Sequence, residues 1–399
     1  MLSGAGDHRA YVDLNLRDFM RITILQGPFL PVPPLRGGAC EKLWYKLGIE
    51  FARCGHEVTS VSRRFPDLPD DETTNDVRYL RVRSYDSSKR MLLNYFKDFL
   101  YNLNVRRVLP DADILITNTL LAPIFHRTPS TGALYVNVAR YPKGQMKYYS
   151  KAARLQAPST PVAAAIREQV PHMSDRVTAI PNPLPWVSDV ELSTDGREKV
   201  ILFLGRIHPE KGLRLLIEGF AGLAPEVRGA WRVEVRGPWR IDQGGAGAAY
   251  LEELKTVAAP LGGAVSFHDP LFGDDELKRE LRRASLFVYP SLAERGETFG
   301  VSVIEAMSCG CPPLVSGLEC FRDFLTDDHD GFVFDHRADS AVEALKARLG
   351  PLLQAPDSFL QEIGANGIKT AREYEVDRVA TRYLDDFASI LGDSRSPDA

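Results

Sequence analysis

Two cations stand five residues apart in Gly205-Arg206-Ile207-His208-Pro209-Glu210-Lys211-Gly212, directly after the apolar run Val200–Leu204. An arginine presents a planar fork to two phosphate oxygens, and a lysine presents a mobile point charge. The pair suits a diphosphate leaving group, whose charge grows as its bond breaks. Ordinary surface cations, one of them paired with Glu210, would give the same spacing. A second cluster lies in Glu294–Gly310, ERGETFGVSVIEAMSCG. A helix starting near Val301 would put Glu297 at its mouth and Glu305 about one turn inside, with the backbone N–H groups of Phe299–Val301 facing the same pocket. A carboxylate accepts two hydroxyl hydrogen bonds, which suits a sugar or a ribose. Glu297 could equally be a first-turn acid favoured by the helix dipole, and Glu305 part of a solvated face. Ile304, Ala306 and Met307 argue instead for a buried helix, in which a glutamate needs a partner.

A third segment, Gln26–Gly38 (QGPFLPVPPLRGG), follows the apolar run Ile22–Leu25 and opens a helix at Ala39–Glu41. Gly37 and Gly38 let backbone approach a ligand closely, and the helix end would offer free N–H groups to a phosphate. The segment is not G-x-G-x-x-G, and no lysine-hydroxyl pair follows. A dinucleotide fingerprint and a P-loop are therefore disfavoured. A flexible proline-rich loop is the alternative.

The elements that would carry these residues alternate regularly. Strands are predicted at Ile22–Leu25, Val58–Val61, Tyr79–Val82, Ile114–Thr117, Leu134–Val138 and Val177–Ile180, with helices over Glu41–Cys54 and Arg90–Val108. Strand, helix, strand in succession means parallel pairing through right-handed crossovers. Pro181-Asn182-Pro183-Leu184-Pro185 and the polar stretch Ser188–Lys199 interrupt the pattern. It restarts with strands at Val200–Leu204, Val233–Val235, Val265–Phe267, Leu286–Tyr289, Pro313–Val315 and Phe332–Phe334. A last helix runs over about Val376–Ile390. The reading is α/β, in two halves that face each other across a cleft. Its boundaries are an N-terminal extension 1–19 ending before Met20, a first domain 20–186, a linker 187–198 and a second domain 199–370. Closing helices over 371–391 and a polar tail 392–399 complete the chain.

Composition narrows the function. The net charge of −4 lacks the global basic field expected of a nucleic-acid binder. The five cysteines form no C-x-x-C pair, so neither a zinc knuckle nor a disulfide framework is expected, and the usage fits a reducing cytosol. No run of 18 apolar residues is present, and the first 20 residues lack the apolar stretch of a signal peptide.

Taken in order, PPLRGGACEKL, ARCGHEVTSVS, IPNPLP, FLGRIHPEKGLRLLIEGF and LFVYPSLAERGETFGVSVIEAMSCGCPPLV resemble the retaining glycosyltransferases of family 4, of the glycosyl transferase group 1 type. That resemblance implies the GT-B fold, two Rossmann-like doubly wound domains facing across a cleft. It implies transfer of a sugar from a nucleotide-diphosphate sugar with retained configuration, without a metal or redox cofactor. Arg206 and Lys211 would hold the donor diphosphate, and Glu305 the ribose hydroxyls. Glu297 with the backbone of Thr298, Phe299, Gly300 and Val301 would hold the donor sugar. Gly37 and Gly38 would approach the donor phosphate from the first domain, and the last helix would cross back onto that domain. Catalysis would rest on Glu297, Arg206 and Lys211, with Glu297 positioning rather than attacking and the leaving phosphate taking the acceptor proton.

One departure stands out. Many relatives carry a His-Asp pair after the strand matching Leu134–Val138, where this chain has Asn137-Val138-Ala139-Arg140-Tyr141-Pro142. Arg140 could contact donor or acceptor phosphate there. The altered corner also keeps open a sugar-nucleotide-binding protein without turnover, or another GT-B enzyme such as an epimerase. Two basic stretches in the first half bear on the acceptor, whether glycan, lipid-linked or small molecule. One is Lys89–Arg107, interleaved with aromatic and aliphatic residues; the other is Arg140–Arg154, which contains no acid. The first could be a core helix with a solvated basic face or a helix lying on an anionic membrane surface. The second could be a mobile loop that orders over substrate. The expected location is cytoplasmic, with peripheral contact at the inner face of the membrane as a variant.

Overall fold

The structure is a computed structural model describing residues 19–126, 129–187, 196–271 and 273–393. Residues 1–18 of the extension, 188–195 of the linker and 394–399 of the tail lie outside the described residues. The first sheet contains β1 (Arg21–Leu25), β2 (Glu57–Arg63), β3 (Asp71–Thr74), β4 (Val77–Val82), β5 (Ile114–Thr117), β6 (Ala133–Asn137), β7 (Arg154–Ala157) and β8 (Val177–Ala179). Its spatial order is β3-β4-β2-β1-β5-β6-β7-β8. All neighbours are parallel except the β3–β4 pair. The second sheet contains β9 (Glu198–Leu204), β10 (Arg232–Arg236), β11 (Val265–His268), β12 (Ala284–Tyr289), β13 (Pro313–Ser316) and β14 (Phe332–Phe334). Its order is β11-β10-β9-β12-β13-β14, parallel throughout.

Strands β3 and β7 are absent from the sequence reading, for different reasons. β3 is the polar edge strand DETT, with no apolar face to signal it. β7, RLQA, buries Gln156, whose amide donates to the Ile180 carbonyl at 2.6 Å while its oxygen accepts from the Asn137 side chain. A polar ladder inside the sheet breaks the apolar run by which buried parallel strands are recognised.

Both sheets reverse their winding once, between β1 and β5 and between β9 and β12. Loops leaving the strand ends diverge at such a switch point and leave a crevice. In the second sheet these are the loops carrying Arg206–Lys211 and Glu297. In the first sheet the glycine loop leaves β1. The final helix, Val376–Asp393, buries Tyr383 and Phe387 against Trp44, Phe51 and Tyr135 of the first half. Its Asp386 accepts from Tyr135 Oη at 2.9 Å and pairs with Arg154 at 2.8 Å. Arg154, counted in the sequence among the basic stretch, is thus committed to this helix. The stretch itself holds a short helical turn at Gln145–Tyr148, buries Met146, and Tyr149 Oη donates to the Leu120 carbonyl at 2.9 Å.

Candidate functional site

Two glycines bring the chemistry together. Gly212 has φ +68°, and a Cβ there would lie 1.9 Å from the Pro290 carbonyl oxygen. Only glycine lets the turn after β9 press against the turn after β12. Gly300 has φ +95°, and a Cβ would strike the Phe321 ring at 2.5 Å. It starts the helix Val301–Ser308 directly after Glu297-Thr298-Phe299.

At the contact between these turns, Lys211 Nζ lies 2.6 Å from Glu297 Oε2, with both side chains nearly sealed from solvent. Tyr289, the last residue of β12, donates its hydroxyl to the same oxygen at 2.9 Å. The lysine ammonium also sits 5.3 Å above the tyrosine ring centroid, a favourable cation–π geometry. Phe203 and Phe287 lie nearly parallel to that ring, with centroids at 6.0 and 6.1 Å. Burial and the facing Glu297 carboxylate push the Tyr289 hydroxyl well above its ordinary value, so it stays a donor. Glu297 Oε1 receives no hydrogen bond from a described residue and remains available to a ligand.

Arg206 lies at the rim of this cluster, and its charge reaches Tyr289. Its guanidinium donates to Glu210 Oε1 at 2.7 Å and to the Gly244 carbonyl at 2.9 Å, with the side chain 44% exposed. The ordinary pairing with Glu210 allowed by the sequence is therefore realised, in a position that still borders the hollow.

Among Thr298, Phe299, Gly300 and Val301, no N–H is taken by an acceptor among the described residues. Phe299 itself is 1% exposed and packs its ring on Phe324 and Tyr374, so it offers backbone only. Thr298 Oγ1 donates across the cleft to the Ala139 carbonyl at 3.3 Å.

Glu305 stands further along the same helix. It is partly buried, and no protein hydrogen bond reaches its carboxyl among the described residues. Burial pushes this carboxyl up to about 7, opposed by Lys42 and reinforced by Asp274. Lys42 comes from the first-half helix Ala39–Arg53 and bonds Asp274 at 2.7 Å, with Lys46 at 3.5 Å. The sequence did not single out Lys42, Lys46 or Asp274, since a bridge between residues 232 positions apart leaves no local signal.

On the first-half side, Gly37 and Gly38 adopt φ +74° and +101°. The helix mouth they form is occupied by Glu41, a residue the sequence reading passed over. A Cβ at Gly38 would meet its carboxylate at 2.2 Å. Burial raises the Glu41 carboxyl, offset by its own backbone N–H and by Arg140. Arg140 is exposed and its charge also acts on Cys40, so it faces this mouth. Among the described residues, no cluster of three or more histidine, cysteine, aspartate or glutamate side chains could hold a metal ion.

Residues 187–370 match the family model for glycosyl transferases group 1. That match lies in the second half, the segment that carries Arg206, Lys211, Glu297 and Glu305. Among curated relatives, the D-inositol 3-phosphate glycosyltransferase of Streptomyces bingchenggensis is 30% identical over 194 residues. The match covers 48% of this chain and 40% of that protein, so less than half of the relative's length is represented. The whole architecture resembles solved structures far more broadly. Sucrose-phosphate synthase from Thermosynechococcus elongatus superposes with TM-score 0.73 at 18% identity, covering 94% of this chain and 99% of the other. Anabaena HepE, in complex with UDP and glucose, superposes with TM-score 0.70 at 15% identity over 93% and 100%. The fold is GT-B.

Proposed function

We propose that this chain is a retaining glycosyltransferase that takes a sugar from a nucleotide-diphosphate donor and needs no metal or redox cofactor. The observation that carries the reading is the Lys211–Glu297–Tyr289 cluster, with Arg206 at its rim, at the switch point of the group 1 half. Arg206 and Lys211 lie where a diphosphate would cross from β9 to the open N–H groups of Thr298–Val301. Their charges would neutralise the leaving group as the sugar–phosphate bond breaks. Glu297 is held through one oxygen by two donors, which fixes the other towards donor-sugar hydroxyls. It positions rather than attacks, and the leaving phosphate takes the acceptor proton.

Glu305 would accept both ribose hydroxyls, for which its unpartnered carboxyl is suited. The HepE complex with UDP and glucose supports a nucleotide sugar as donor. The acceptor would lie against the first half: a glycan, a lipid-linked sugar or a small polar molecule. The S. bingchenggensis relative, named for inositol 3-phosphate, favours a polar acceptor hydroxyl. Arg140, facing Glu41 at the edge of the cleft, would take the place of the usual His-Asp corner and hold a phosphate of donor or acceptor. We place the reaction in the cytoplasm, with peripheral contact at the inner face of the membrane as a variant. No helix among the described residues is long and apolar enough to cross a membrane.

A thermal-shift screen of nucleotide sugars tests the reading. The correct donor should raise the melting temperature, since a ligand at 100 times its Kd stabilises by about 2.7 kcal/mol. Product analysis should then show transfer or slow donor hydrolysis. Binding without either would favour a sugar-nucleotide-binding protein. A changed sugar formed without acceptor would favour an epimerase. A panel in which nothing binds would remove all three. Arg140→Ala should cost about 1.5–3 kcal/mol of transition-state binding, roughly ten- to a hundredfold in kcat/KM. Melting should stay unchanged because the residue is exposed. Full activity would reduce Arg140 to plain surface.

A further inference from the structure

The first-half helix Met91–Val105 has inverted polarity. Its buried face is Asp98, Tyr101, Asn102 and Val105. The polar members are satisfied internally: Asn102 donates to Asp98 Oδ1 at 2.9 Å, and the Asn102 amide oxygen meets His126 Nε2 at 3.0 Å. Tyr101 and Val105 apart, most of the large apolar residues point outwards. Met91 is 65% exposed, Leu92 79%, Phe96 57% and Leu103 41%. A surface helix in water shows the opposite arrangement, and this face needs an apolar environment to cover it.

Cations frame that face. Lys89 and Arg90 precede the first turn, and Arg106 and Arg107 follow the last. The one acid in the helix, Asp98, is buried. The Phe99 ring contacts Phe125 at 5.5 Å, and Tyr149 bonds Leu120 in the same neighbourhood. The charge of Asp98 also reaches Tyr149, so the segment carrying the exposed Lys143, Lys147 and Lys151 is close to this helix. The chain as a whole is acidic, with net charge −4, so this concentration is local. We propose that this helix and the adjoining lysines form a docking surface for a bilayer bearing anionic headgroups. The exposed side chains enter the boundary of the acyl region, and the cations meet the lipid phosphates. Nothing in this inference depends on sugar transfer.

Co-sedimentation of the full chain with phosphatidylcholine vesicles, with and without one-third phosphatidylglycerol, tests it. The wild type should bind the anionic vesicles at least tenfold more tightly than the neutral ones, and high salt should weaken the binding. Leu92→Ser with Phe96→Ser should lower that affinity about tenfold or more, and Lys143→Glu with Lys147→Glu should abolish the anionic preference. All four positions lie outside the core, so melting should be unchanged; Leu92→Ala alone serves if the double serine variant misfolds. Wild-type protein that ignores both vesicles overturns the proposal, as does binding indifferent to these variants. A dimer in solution that the Leu92/Phe96 variant splits would assign the face to a second copy instead.

Discussion

Replacing both Arg206 and Lys211 by alanine should slow sugar transfer by about a thousandfold or more. Removing a single preorganised donor from a developing oxyanion commonly costs a hundred- to a thousandfold, and this change removes two full charges. The two residues should differ in their effect on stability. Arg206 is substantially exposed and paired with Glu210 on the surface, so Arg206→Ala alone should leave melting nearly unchanged. Lys211 is the nearly buried partner of Glu297. Its loss leaves a carboxylate with only the Tyr289 hydroxyl and should cost about 3 kcal/mol of stability, the low end for a broken buried pair. Adding Glu297→Gln should recover much of that loss by removing the orphaned charge. It should not recover turnover. Steady-state kinetics and melting curves on the four variants make the separation. Near-normal turnover in Arg206→Ala/Lys211→Ala would withdraw the phosphate assignment.

The second large effect concerns Glu305. Its carboxyl titrates near 7 because burial disfavours the charged form. A carboxylate gripping two ribose hydroxyls is stabilised in its charged state, so the donor should bind the deprotonated protein better. The sign follows from linkage: raising the pH through 7 removes the proton that donor binding would have to expel. Donor affinity should therefore strengthen about tenfold between pH 6 and pH 8. In Glu305→Gln that dependence should vanish. In Glu305→Ala donor affinity should fall by roughly 1.5–3 kcal/mol at pH 8, the value of a hydrogen bond to a charged group. Stability should move the other way. A carboxyl raised on folding destabilises the native state progressively as pH rises from its ordinary range towards 7, so Glu305→Gln should melt higher than wild type at pH 8. Calorimetric titration of the donor selected in the thermal screen provides the affinities. A pH-independent wild-type affinity would contradict the ribose role.

Lys42 and Lys46 give this corner a further property. They reach from the first-half helix to Asp274, and Lys42 is close enough to oppose the titration of Glu305. The two halves therefore meet at the carboxyl assigned to the nucleotide. Glu41 poses a related question on the opposite wall, since its carboxylate fills the mouth shaped by Gly37 and Gly38. A phosphate approaching that helix end would meet the glutamate first, a carboxyl that burial raises and Arg140 opposes.

The chain by itself determined what depends on local pattern. Apolar runs bounded by proline and glycine marked twelve of the strands, including Ile114–Thr117 and Phe332–Phe334 with their observed bounds. Short motifs pointed to Arg206, Lys211, Glu297 and Glu305, but their spacing fits surface cations and a helix-dipole acid as well, and the roles came from the resemblance of the whole motif series. Only the tertiary structure could decide which of those groups share a neighbourhood. Gly212 pressed on Pro290 joins Lys211 to Glu297 across 86 residues, and Tyr289 enters the site because β12 ends beneath them. The same limit hid Glu41, Lys42 and Asp274 and the polar strand β7, and it left open whether the apolar face of Met91–Val105 is covered or exposed. Periodicity reports which side of a helix is apolar. Only packing reveals which side the rest of the chain has covered.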